Sequence, residues 1–179
     1  GECGKNPGYM LEACKESCGV CDDSSSSSSS TVYSASIDPS AAAAGGVGYV
    51  TLNTGAKMPM IGFGTAGLGE HTAQAVKWAL QAGYRMLDSA QAREWYREDL
   101  VGRGIAECGV EGLRRQDLFL TSKLHPRHLG RESTLREFET SLRDLNTDYV
   151  DLFLLHYPMC WGDLCGGKQP EGTWRDSWR

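Results

Sequence analysis

From Tyr49 onward the chain alternates short apolar runs with longer stretches of helical periodicity. In Tyr149–Pro158, YVDLFLLHYP, the residues Leu152, Phe153, Leu154 and Leu155 lie between Asp151 and His156. Four apolar residues in a row, closed by a proline that cannot donate to a ladder, predict a strand buried on both faces. Earlier stretches extend the pattern. Val50–Asn53 and Lys57–Met60 flank Thr54-Gly55-Ala56, a hairpin signal. Met60–Thr65 reads as a strand entering a glycine-rich turn. Thr72–Ala82 carries Ala75, Val76, Ala79, Leu80 and Ala82 as a helical stripe, with Gly83 as its stop. A strand at Tyr84–Asp88 follows, then a helix at Glu98–Cys108 with Leu100, Val101, Ile105 and Cys108 inward. After them come a strand at Leu118–Leu124 and a helix at Glu132–Leu145 with Leu135, Phe138, Leu142 and Leu145 inward. Strand–helix units about 30 residues apart predict an α/β fold with a parallel sheet.

Doubly wound and barrel sheets both fit this order. Gly62-Phe63-Gly64-Thr65-Ala66-Gly67 satisfies the G-x-G-x-x-G string of dinucleotide sites, with Asp88 near the ribose-binding position. A structural turn explains a lone match of this kind equally well. The strand ends discriminate better. The second strand ends at Asp88, the third at Lys123 and the fourth at His156, spaced 35 and 33 residues apart. In a barrel these three would converge on one mouth. Two bland alternatives compete: an Asp88–Lys123 ion pair that only ties strands together, and a histidine that caps a core strand.

Upstream of Tyr49 the composition changes. Residues 1–21 hold four of the seven cysteines, Cys3, Cys14, Cys18 and Cys21, at the density of a disulfide module. A zinc site built on the C-x-x-C pair Cys18–Cys21 is the weaker competitor. Residues 22–48, with seven consecutive serines and an Ala/Gly tract, predict a disordered tether. The net charge of −5 gives no support for nucleic acid as a partner, and no apolar run nears the ~20 residues of a membrane span.

Four segments in order, LNTGAKMPMIGFGT, GYRMLDSA, DLFLTSKL and DYVDLFLLHYP, resemble the first half of an aldo-keto reductase, over residues 50–179. The resemblance implies a (β/α)8 TIM barrel, of which about four βα units are present, and reduction of a small-molecule carbonyl with NADPH. It implies Asp88, Lys123 and His156 as catalytic residues. The family's tyrosine usually lies five residues after the aspartate, where this chain has Arg93. Tyr96, eight residues on, is the candidate in a lengthened loop before Glu98-Asp99-Leu100-Val101-Gly102. By the same resemblance Gly64, Thr65 and Asp88 lie near the cofactor, and His125, Tyr157 and Trp161 line the substrate pocket. The residue types suit the chemistry. A phenol is a poor acid at neutral pH. A nearby Lys123 ammonium is expected to lower its pKa, with Asp88 aiming the lysine and His156 donating to the carbonyl oxygen.

Residues 1–21 are similar to the second half of a ShK-toxin-like (ShKT) module, through Gly-Glu-Cys, Asn-Pro-x-Tyr-Met and Cys-x-x-x-Cys-x-x-Cys. That resemblance implies a Cys3–Cys18 disulfide, leaves Cys14 and Cys21 without their family partners, and implies a protein partner. The expected organisation is a partial cysteine module (1–21), a linker (22–48) and a reductase half-domain (49–179). Barrels of this type take ~250 residues, and the family's main cofactor-binding residues fall on later strands. The expectation is a fragment, inactive or unstable alone. The alternative is a non-enzymatic secreted or luminal interaction protein with a vestigial barrel. The cysteine module points to an oxidising lumen and the reductase family to the cytosol.

Overall fold

The computed structural model describes residues 48–167 and 170–178. The cysteine module, its Cys3–Cys18 pair, the zinc alternative and all of the linker but Gly48 lie outside the described residues. An antiparallel hairpin comes first, β1 (Tyr49–Thr51) with β2 (Lys57–Pro59). The Gly48 carbonyl, assigned above to the linker, already accepts from Met60 N–H at 2.8 Å.

The main sheet has four parallel strands in chain order: β3 (Phe63–Gly64), β4 (Met86–Asp88), β5 (Phe119–Leu124) and β6 (Leu152–Leu155). Its connections carry α1 (Thr72–Gln81), α2 (Glu98–Ala106) and α3 (Arg131–Leu145). Right-handed crossovers that always step the same way put every helix on one face of the sheet. This order lacks the reversal that makes the crevice of a doubly wound sheet. The glycine string accordingly forms no dinucleotide crevice of that kind. Phe63 and Gly64 are strand, and Gly67 N–H donates to the Trp95 carbonyl at 2.7 Å.

Strand alternation divides the residues between the two faces. Leu87 and Leu120 are registered neighbours and pack with Val76, Leu80, Val101 and Leu145 into the core under the helices. Asp88 is registered with Thr121, so Asp88, Thr121 and Lys123 occupy the opposite face.

Three packing expectations are corrected. In α2, Val101 and Ile105 do face the core, as does Cys108 just beyond it, but Leu100 is only half-buried, while Gly102 and Gly104 are buried. A Cβ on Gly102 would stand 2.6 Å from the Asp144 carbonyl oxygen, and one on Gly104 would stand 2.7 Å from that of Ala73. Helix backbones therefore meet through glycine where aliphatic contacts were expected. In α3, Leu145 is buried but Leu135 is 47% exposed, and Ser133, Thr134 and Ser141 take the inward positions. Ser133 bonds back to the Leu129 and Gly130 carbonyls, and Ser141 joins a polar network. Buried Glu98 accepts from Ser122 Oγ (2.6 Å) and Ser141 Oγ (2.8 Å), joining α2 to β5 and α3. In β6, Leu154 is 39% exposed rather than buried on both faces, because β6 is the last strand of the described sheet.

Candidate active site

Asp88 ends β4, Lys123 is the penultimate residue of β5, and His156 directly follows β6. Lys123 is registered with Leu154, so the side chain two residues on, His156, shares its face. One face at the C-terminal edge of the sheet thus holds all three residues. Lys123 Nζ donates to Asp88 Oδ2 at 2.7 Å and to the Ser89 carbonyl at 2.9 Å.

The fourth residue arrives from the lengthened loop. Trp95 and Tyr96 N–H both donate to the Ala92 carbonyl at 2.8 Å, which coils the extra residues into a tight turn. Arg97 ties the end of the loop to Glu70 and Asp99. The Tyr96 ring consequently lies 5.1 Å from Lys123 Nζ and packs edge-on to the His156 ring at 5.9 Å. Arg93, at the family's usual tyrosine position, pairs with Asp144 at 2.5 Å instead.

Burial, then the Asp88 carboxylate and Tyr157, raise the Tyr96 phenol above its ordinary pKa. This corrects the expectation that Lys123 lowers it. The ammonium charge is compensated by Asp88, and the phenol feels desolvation and the carboxylate more strongly. Burial and then the Lys123 charge hold His156 below its ordinary value, so it is neutral at pH 7. Its Nδ1 is buried without a partner.

Tyr96 and His156 line a cleft of about 290 Å³ with Ala66, Ala92, Glu94, Trp95, His125, Tyr157 and Leu164. Tyr157 stacks on His156 at 5.1 Å, and Trp161 packs edge-on to Tyr157 at 5.1 Å. Gly64 is registered with Asp88, and a Cβ there would meet open space. Thr65 is fully buried, and both its N–H and its hydroxyl donate to the Asp88 carbonyl at 3.0 Å. Glu94, Trp95 and Leu164 did not stand out in the sequence. Trp95 and Glu94 are neighbours of Tyr96 in the lengthened loop, whereas Leu164 carried no signal. Among the described residues, no group of three or more His, Cys, Asp or Glu is placed to hold a metal ion.

His125 reaches the cleft while serving the fold. Its Nδ1 accepts from Arg127 N–H at 3.1 Å, capping the 3-10 turn Pro126–His128, which leaves Nε2–H to donate to Glu94 at 3.3 Å. Burial, then the Arg127 charge, lower its pKa to about 4. A folded-state pKa below the unfolded value makes stability fall as pH drops from about 6.5 toward 4, by up to about 3 kcal/mol. Glu98 runs the other way, because burial raises its carboxyl pKa. The contribution of Glu98 cancels when wild type is compared with His125→Asn, which keeps a cap acceptor but does not titrate. Urea unfolding at pH 7, 6 and 5 is expected to show a smaller loss for His125→Asn. The loss that persists belongs to His128 and His156, both also depressed chiefly by burial. An equal loss in both proteins would clear His125 of the role.

Residues 60–175 match the Aldo/keto reductase family. Morphine 6-dehydrogenase of Pseudomonas putida is 44% identical over 110 residues, covering 61% of this chain and 36% of the relative. Glyoxal reductase of Bacillus subtilis is 39% identical over 128 residues, covering 70% of this chain and 42% of the relative. A Bombyx mori aldo-keto reductase crystallised in complex with NADP is 33% identical with a TM-score of 0.63, over 74% of this chain and 45% of that one. The chain spans less than half the length of each of these three proteins. A parallel sheet with three ionisable strand ends, a tyrosine over the lysine and a family match across residues 60–175 lead to one assignment: the chain belongs to the aldo/keto reductase family.

Proposed function

We propose that the protein reduces an aldehyde or ketone to an alcohol with NADPH, on one wall of a (β/α)8 barrel. The observation that carries this reading is the convergence of Asp88, Lys123, Tyr96 and His156 on one sheet face beside a cleft. The relatives support it, since one is a glyoxal reductase and another was crystallised with NADP.

The residues present fit the reactive end of such a cofactor. Open space at Gly64, beside Asp88, leaves room for a flat ring against the strand end. Thr65 braces this edge through the Asp88 carbonyl, its hydroxyl being committed there. When bound there, NADPH would supply the hydride for the carbonyl carbon, being itself oxidised to NADP⁺. Tyr96, protonated at neutral pH, gives its hydroxyl proton to the carbonyl oxygen, completing the alcohol. Neutral His156 donates a hydrogen bond that holds this oxygen as negative charge develops. Lys123, fixed by Asp88 and Ser89, offers its positive charge to the phenolate left behind. Trp95, Tyr157 and Leu164 supply the cleft's apolar lining, with His125 at its wall and Trp161 behind Tyr157.

The test is NADPH consumption with and without a panel of aldehydes, alongside direct NADPH binding. Saturable binding with aldehyde-dependent, stoichiometric alcohol formation is expected. Binding without turnover of any carbonyl would remove the assignment.

A further inference from the structure

The loop that follows His156 is closed by a bridge between Cys160 and Cys165. Inside it lie Trp161 and the 3-10 turn Gly162–Cys165, which brings Leu164 to the cleft. The Gly166 N–H donates to the Asp163 carbonyl at 2.9 Å, a bond that spans only the turn itself. Gly162, Gly166 and Gly167 all adopt positive φ, and Met159 and Trp161 are more than half exposed. A glycine-rich loop of this kind loses much conformational freedom on ordering. Cys165, by contrast, is buried, so the bridge ties the exposed side of the loop to an anchored point. From Cys160 the chain passes at once to Trp161, whose ring meets Tyr157, which is stacked on His156.

We propose that the Cys160–Cys165 bridge is a positioning element that sets substrate specificity. It holds Leu164 in the cleft wall and Trp161 against Tyr157, and so shapes the side of the pocket that receives the carbonyl's substituent. The catalytic consequence rests on the reductase reading, but the positioning can be measured without turnover. Opening the bridge is a two-electron reduction. A thiolate of an added dithiol attacks one cystine sulfur and releases the other cysteine as a thiolate; the dithiol's second thiol then attacks the mixed disulfide at the dithiol sulfur and releases the remaining cysteine. The products are two cysteine thiols and a cyclic disulfide. Cys108 is buried in the helix-side core and stands apart from this exchange.

The experiment compares the oxidised protein, the dithiol-treated protein and the Cys160→Ser/Cys165→Ser double variant, with thiol titration to verify each state. Hydrogen exchange of amides 159–167 is expected to accelerate at least about tenfold in the last two states, with amides 119–124 of β5 unchanged. In the same states the KM for 4-nitrobenzaldehyde is expected to rise about tenfold while kcat for propanal stays within about twofold, the signature of lost binding on one wall. In the double variant, dithiol should cause no further change in exchange at 159–167 or in KM, whatever it reduces among the cysteines of residues 1–21. An opened bridge with unaltered exchange at 159–167 would overturn the proposal, as would free thiols at both positions in the oxidised protein. Equal KM changes for both aldehydes would overturn the specificity role. If no state turns over any aldehyde, the reductase reading fails, and the exchange result alone decides the positioning.

Discussion

Replacing Tyr96 with phenylalanine is expected to lower kcat for carbonyl reduction by about 10²- to 10⁴-fold, the range for loss of a positioned general acid. NADPH binding should be unchanged, because the ring itself stays. The expectation rests on where the coiled loop delivers the phenol: beside Lys123, edge-on to His156 and lining the cleft. The residue at the family's usual spacing, Arg93, serves as a control. It is spent on Asp144, so Arg93→Ala should leave kcat within about threefold. Steady-state kinetics on both variants check the pair. Full activity in Tyr96→Phe would return the proton-donor role to an unidentified group.

The Lys123→Met variant separates a catalytic lysine from a strand tie. Nζ sits between Asp88 Oδ2 and the Ser89 carbonyl, and the lysine side chain is only 14% exposed. Its removal strips Asp88 of its partner and is expected to cost about 1–3 kcal/mol of stability. If the lysine also stabilises phenolate formation at Tyr96, kcat per folded molecule falls by about 10²- to 10³-fold as well. Melting curves measured beside kcat distinguish the cases. A lowered melting temperature with kcat intact would leave the pair a structural ion bridge. Asp88→Asn supplies the complementary arm, since it weakens the hold on Lys123 while keeping the ammonium.

Helix α1 and the order of strands were legible because their signals are local. Val76, Ala79 and Leu80 fall on one face whatever surrounds them, and apolar runs at about 30-residue intervals admit few arrangements but a parallel series. Asp88, Lys123 and His156 were legible because each ends an apolar strand, where an ionisable group is costly without a partner. Other features depended on neighbours distant in sequence. Gly102 and Gly104 look like poor helix residues until α1 and α3 approach them. Leu135 fits an inward stripe, yet the packing of α3 turns Ser133 and Ser141 inward, with Ser141 bonding to Glu98.

The opposite pKa shifts expected and found for Tyr96 have the same origin. The family resemblance places a lysine near a tyrosine, but only the folded structure shows that the lysine's charge is already answered by Asp88 and that the phenol is partly desolvated. The Cys160–Cys165 bridge likewise needed a fold in which two of three scattered cysteines meet.

The sequence by itself determined the family, the succession of βα units and the placing of Asp88, Lys123 and His156 at strand ends, because periodicity and strand-end chemistry are written in short segments. It also offered Tyr96 in the lengthened loop, and tertiary structure decided its place, since only the coiled loop brings the ring to 5.1 Å from Lys123 Nζ. Tertiary structure also decided the electrostatics and seated the Cys160–Cys165 loop beside the cleft, since burial and contacts between distant segments exist only once the chain has folded.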